Sequence, residues 1–226
     1  MSERSGLDAH SALLLVCFGD SLTAGYQVQA ETGMPLPDRP YGGFLQEWLG
    51  ARGRVSVQGI CGEVTSGMVT RFSRDVVDAA PAHAVILGGT NDLGWGVPPP
   101  AIITNLESLY TSALRAGVQP VGVTVPSLRV EGHGAGPRPA WLDAHVRARL
   151  ELNRLITERC ERHRMPCVDL FQATLEGPSL LLAARFSSDG LHLNAAGYET
   201  FARLVWNELF ADRFGACPDL PAEPIG

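Results

Sequence analysis

No apolar run in the 226-residue chain is long enough to cross a bilayer: the longest near the start, 12–18, falls far short of the about 20 residues a span needs. No charged segment with a small-residue cleavage site accompanies it, so the expectation is no signal peptide, no membrane span and a cytoplasmic protein. Basic blocks are missing as well. The 18 basic residues are outnumbered by 24 acidic ones, for a formal net charge of −6, and they nowhere cluster beyond a residue or two. Nucleic acid and anionic membrane surfaces are therefore not expected partners. Cysteine is scarce and unpatterned: Cys17, Cys61, Cys160, Cys167 and Cys217 are odd in number and lack C-x-x-C spacing, which argues against a disulfide framework or a zinc site. There is no internal repeat, low-complexity tract or dividing linker. One domain over 1–226 is expected, with tails outside a core of about 12–212.

What the chain does contain is enough apolar material for a core, 45% against 19% charged. Short runs rich in Val, Ile and Leu at 13–18, 55–57, 84–87, 118–125 and 166–170 alternate with amphipathic stretches at 41–51, 65–79, 100–116, 139–163 and 195–210. That alternation predicts strands separated by helices. The apolar runs are continuous, which implies burial on both faces and hence a parallel sheet. With right-handed crossovers the expected architecture is a three-layer α/β/α sandwich, doubly wound, with five parallel strands.

In such a sheet ligands bind outside the carboxyl ends of the strands, so the segments after strands rank first for chemistry. Directly after the first strand, Gly19-Asp20-Ser21-Leu22 sets a serine at a strand-to-helix turn, where it reads either as a cap or as a nucleophile awaiting a base. Near the other end, Asp189 and His192 stand three residues apart, close enough for the acid to fix the imidazole tautomer. Of six histidines only His133 and His192 sit on segments that reach the carboxyl edge, and His133 has no acid nearby to orient it. His133 therefore reads as a loop or substrate-contacting residue. Acyl transfer also needs donors aimed at an oxyanion; Gly62 in the turn after the second strand and Asn91 after the third are the candidates, each equally able to serve only its own turn.

These residues fall in four blocks that together resemble the SGNH hydrolases, the GDSL esterase and lipase family. Gly19-Asp20-Ser21-Leu22 is similar to the family's nucleophile block, Gly62 to its glycine block, Gly89-Thr90-Asn91-Asp92 to its G-x-N-D block, and Asp189-Gly190-Leu191-His192 to its D-x-x-H block. The resemblance runs from Cys17 to about Tyr198. It implies a flavodoxin-like sandwich and a serine hydrolase without cofactor or metal. It further implies Ser21 as nucleophile, His192 as base and Asp189 as its orienting acid, with Ser21, Gly62 and Asn91 forming the oxyanion hole. Asp20 and Asp92 would be supports for those loops. The chain departs from the family at Cys61-Gly62-Glu63-Val64, where relatives often carry Ser-Gly-Asp-Thr, and at Leu193, where many have proline.

The expected reaction is hydrolysis of carboxylic esters through an acyl-enzyme on Ser21. An acyltransferase using the same intermediate and a silent small-molecule-binding domain are the alternatives; a dinucleotide-dependent oxidoreductase is disfavoured because no G-x-G-x-x-G follows the first strand. Trp95 and Trp141 lie on loops expected to wall the pocket, reading equally as substrate contacts or as packing for those loops. With no long apolar lid, short-chain or aryl esters are the expected small-molecule substrates. Cys61, beside the expected hole, reads as a small buried residue.

Overall fold

The computed structural model describes residues 13–130 and 139–218. Five strands, β1 (Leu13–Gly19), β2 (Gly53–Gly59), β3 (His83–Leu87), β4 (Gln119–Val123) and β5 (Cys167–Val168), pair in parallel in the order β2-β1-β3-β4-β5. This is the doubly wound order in which the connections reverse direction between β1 and β3. The helices follow in chain order: α1 (Ser21–Ala24), α2 (Tyr41–Leu49), α3 (Thr65–Phe72), α4 (Thr90–Gly94), α5 (Pro99–Arg115), α6 (Ala140–His163), α7 (Leu170–Thr174) and α8 (Ala195–Leu209).

The winding follows from the sheet order. Right-handed crossovers from β1 to β2 and then from β2 to β3 run in opposite directions, so their helices fall on opposite faces. Accordingly α2 packs with α8 on one side, while α3 packs on α5 and α5 on α6 on the other. Leu15, Val16, Cys17 and Phe18 of β1 are wholly buried, as expected of a central strand covered on both faces. Under α8, Trp206 is fully buried and meets Trp48 edge-on at 6.0 Å; its truncation to Ala would cost about 3–5 kcal/mol.

Two predicted elements change shape. The 166–170 run yields only a two-residue strand, because the Asp169 carboxylate accepts the Gln172 N–H at 3.1 Å and the Thr124 hydroxyl at 2.8 Å, starting α7 instead. The helix predicted over 65–79 ends its α-helical part at Phe72 and continues as a wider π-helical turn over Ser73–Val77. For function the register matters most. Gly19 pairs with Gly59 on one side and Leu87 on the other, so the three loops that follow start at one level of the sheet edge.

Candidate active site

The serine turn comes first. Asp20 caps α1, its carboxylate accepting the Leu22 N–H at 2.9 Å, and Ser21 is the first helical residue, only 4% exposed. The helix lasts one turn because Gly25 adopts φ +88° and a Cβ there would meet the Pro40 nitrogen at 2.2 Å.

From the far end of the chain, the loop before α8 brings the imidazole. His192 Nε2 lies 3.1 Å from Ser21 Oγ, and Nδ1 lies 2.7 Å from Asp189 Oδ2. A carboxylate facing Nδ1 keeps the proton on that nitrogen and leaves Nε2 to accept from the hydroxyl. Asp189 Oδ1 also accepts the backbone N–H groups of Leu191 at 2.9 Å and His192 at 2.8 Å, so acid and base are held by the same tight turn. Gly190 makes that turn at φ +81°, where a Cβ would strike the Arg129 carbonyl oxygen at 2.1 Å. The Tyr26 ring packs edge-on against the imidazole at 4.6 Å, and the Tyr198 hydroxyl donates to the Tyr26 carbonyl at 2.7 Å.

The third part lies on the loops after β2 and β3. Gly62 has φ +76°, with open space where a side chain would begin; it is there for its backbone conformation, not for close packing. Neither the Ser21 nor the Gly62 N–H donates to a backbone or side-chain acceptor among the described residues. Asn91 donates through Nδ2 to the Glu63 carbonyl at 2.9 Å, which fixes the amide and leaves its second hydrogen available. Asp92 accepts the Thr65 N–H at 2.9 Å and its hydroxyl at 2.6 Å, tying the two loops together, and Asn105 Nδ2 donates to that same Thr65 oxygen at 3.0 Å.

The electrostatics of the two acids diverge. Burial would push the Asp189 carboxyl up, but the His192 ring N–H and the Leu191 and His192 amides outweigh it and hold the group at about 2. Asp20 goes the other way. It is fully buried, its Oδ2 has no partner, and desolvation pushes it up to about 7 against the lowering effects of the Leu22 N–H and His192.

Beside Asn91 opens a cleft of about 350 Å³ lined by Thr90, Asn91, Trp95, Leu128, His145 and Arg149, among others. Trp95 is thus on its wall. Trp141, half exposed, instead meets the His145 ring edge-on at 6.0 Å, one step removed from the cleft. His133 lies outside the described residues. Cys61, expected to be buried, is exposed. The sequence reading did not single out Arg71, His145 or Arg149. The signal for Arg149 was present: it shares spacing with Leu142, Val146 and Asn153, the buried stripe of α6, where a lone arginine is out of place.

Comparison with known proteins gives the family. The profile of the GDSL-like Lipase/Acylhydrolase family matches residues 17–200. No curated protein sequence matches the chain. Among solved structures, a GDSL-like lipase from Bacteroides thetaiotaomicron is 20% identical, covers 86% of each chain and superposes with a TM-score of 0.68. An acetylxylan esterase from Geobacillus stearothermophilus is 20% identical over 88% of this chain and 94% of its own, with a TM-score of 0.70. The native aryl esterase of M. smegmatis is 20% identical over 88% of this chain and 100% of its own, with a TM-score of 0.69. At that identity the structures attest the fold, whereas the family profile spans most of the chain. The protein accordingly belongs to the GDSL-like lipase/acylhydrolase family and is a carboxylic ester hydrolase.

Proposed function

We propose that the protein is a serine esterase in which Ser21 is the nucleophile, His192 the general base and Asp189 the acid that orients it, acting on short-chain acyl or aryl esters. The observation that carries this reading is the unbroken relay from Asp189 through His192 to Ser21, at 2.7 Å and 3.1 Å. As the Ser21 oxygen attacks the ester carbonyl, His192 Nε2 takes its proton, and the carbonyl oxygen becomes an oxyanion. The Ser21 and Gly62 N–H groups and the Asn91 amide receive that charge in a site fixed before the reaction. His192 then returns its proton to the departing alcohol, leaving an acyl group on Ser21. Water deprotonated by His192 releases the acid and restores the serine.

The preference for small acyl or aryl groups rests on the size of the cleft next to Asn91, about 350 Å³, at the lower end of small-molecule sites. Trp95 and Leu128 supply its apolar wall and Trp141 an outer contact. The test is hydrolysis of p-nitrophenyl esters of increasing chain length by wild type and Ser21→Ala, alongside labelling with an active-site phosphonate. The expected result is turnover with a short-chain optimum and one phosphonate adduct, both abolished in Ser21→Ala. Substantial turnover by Ser21→Ala would overturn the assignment.

A further inference from the structure

Among the described residues Arg149 meets no counter-ion. It sits 2% exposed on the core-facing stripe of α6, its Nε donates to the Pro126 carbonyl at 3.0 Å, and its Nη1 is buried with no partner. No carboxylate among the described residues reaches it. A guanidinium deprived of water and offered one neutral carbonyl is poorly compensated, and burial pulls its pKa down only to about 10, so it stays charged at neutral pH.

Its surroundings show where compensation would come from. Arg149 lines the cleft that begins at Asn91, and so does Thr90, whose hydroxyl is likewise buried and unpartnered. Two residues that each carry a buried, unsatisfied polar atom therefore line one cavity, next to the Asn91 amide. His145, one turn before Arg149 on α6, borders it too, and burial and then the Arg149 charge lower its pKa. Among the described residues this lining holds no acidic side chain, and its remaining wall of Trp95, Leu128 and Leu191 is apolar. The planar fork of an arginine matches a carboxylate, which would also accept a hydrogen bond from the Thr90 hydroxyl.

We propose that Arg149 and Thr90 form a carboxylate-recognition subsite, so that the preferred substrates are esters carrying a negative charge beside the scissile bond. The inference rests on the reading of Ser21 and Asn91 given above. The shared chemistry is a carboxylate on the substrate, carried either by the acyl chain or by the alcohol.

Two substrate pairs separate those sources. For the acyl side, p-nitrophenyl hemisuccinate and hemiglutarate are compared with the neutral butyrate and valerate; for the alcohol side, the butyrate ester of 4-hydroxybenzoate is compared with that of 4-hydroxybenzamide. Wild type is expected to favour the acidic member of one pair in kcat/KM by about tenfold to a hundredfold, the range of one charge-assisted contact. Arg149→Met should abolish that ratio chiefly through KM, Arg149→Lys should restore part of it, and Thr90→Val should lower it without changing the net charge. An absence of acid preference in both pairs, or a ratio that survives in Arg149→Met, overturns the proposal. Should Arg149→Met fail to fold, Arg149→Lys and Thr90→Val decide by the same ratio. Binding of monomethyl glutarate to Ser21→Ala, measured by calorimetry against methyl valerate, separates this inference from the esterase reading. Selective binding that Thr90→Val weakens, in a protein that hydrolyses none of these esters, would sustain the subsite and refute the esterase. Ester hydrolysis with no carboxylate selectivity would do the reverse, and neither binding nor hydrolysis would refute both.

Discussion

Arg71 grips the Glu63 carboxylate with its Nε, 2.9 Å from each oxygen, and with its Nη2 at 2.5 Å, while Nη2 also donates to the Gly19 carbonyl at 2.9 Å and Nη1 to the Gln58 carbonyl at 3.1 Å and the Asp75 carboxylate at 3.0 Å. One buried side chain of α3 thus joins the ends of β1 and β2 to the loop that carries Gly62. Glu63 is also the residue whose carbonyl accepts the Asn91 amide. The departure of this chain from the usual family sequence at Glu63 therefore comes with its own anchor: the longer acid reaches back to Arg71, whose guanidinium stacks 4.1 Å over the Phe18 ring.

Removing that anchor has a cost that can be read. Arg71→Met leaves the partly buried Glu63 and Asp75 carboxylates without this cation and two strand-end carbonyls without their donor, a loss expected to lie below the roughly 3–5 kcal/mol of breaking a fully buried ion pair from one side. Urea unfolding should show that loss, while Glu63→Gln, which keeps a hydrogen-bonding side chain, should lose less. In the folded fraction of Arg71→Met, kcat should fall with KM little changed, because in the proposed mechanism Arg71 would position the oxyanion donors through Glu63 and the Gly62 loop without touching substrate. Unaltered stability in Arg71→Met would mean that the contact carries no weight.

Asp189→Asn tests the orienting role of the acid. The amide can still cap the turn through its carbonyl oxygen, yet it no longer demands a proton on His192 Nδ1, so the imidazole is released into the wrong tautomer. We expect kcat to drop by about 10²- to 10⁴-fold with KM within a few-fold of wild type. Steady-state kinetics on one p-nitrophenyl ester suffice, and a kcat within threefold of wild type would exclude the proposed role.

The two perturbed acids give stability a pH dependence with opposite signs. Asp20 binds its proton more tightly folded than unfolded, being pushed up to about 7, so the folded protein loses stability as pH rises from about 4 to about 7. Asp189, held at about 2, contributes stability above the unfolded carboxyl range that is lost as pH falls from about 4 towards 2. Asp20→Asn keeps the N-cap and removes the first effect. Chemical denaturation at pH 5 and pH 8 should show the variant gaining on wild type at the higher pH by about 2–3 kcal/mol, since about two pH units of the shift lie above pH 5. An equal difference at both pH values would remove Asp20 as the source.

Much of this arrangement was legible in the sequence, for identifiable reasons. Continuous apolar runs such as Leu13–Gly19 announce a doubly covered strand, and the rule that chemistry gathers at carboxyl edges led directly to Ser21 and Asn91. The three-residue spacing of Asp189 and His192 allowed a local pairing but was a weak signal alone; the resemblance of all four blocks to the family singled the pair out. The groups that escaped detection act through distance. Arg71 meets Gly19 across 52 positions of sequence, and Thr65 meets Asp92 across 27; no periodicity encodes such pairs. Arg149 lies on a stripe whose pattern predicts burial but cannot say that the buried charge borders a cleft.

Asn91 offers the sharpest test of how the site stabilises charge. Its Nδ2 is already committed to the Glu63 carbonyl, so the amide is fixed and, in the proposed mechanism, would meet the oxyanion from one direction. Asn91→Ala removes that donor without touching the Ser21–His192 contact, and losing one such donor typically costs about 10²- to 10³-fold in kcat. Because the interaction strengthens as charge develops on the oxygen, KM should hardly move. Asn91→Asp should do worse, since a carboxylate there faces both the Glu63 carbonyl and the developing oxyanion. Phosphonate labelling, which also forms a charged oxygen at the same place, should slow in parallel with kcat in both variants. If Asn91→Ala raised KM and left kcat alone, Asn91 would be a substrate-binding residue, and the hole would consist of the Ser21 and Gly62 N–H groups.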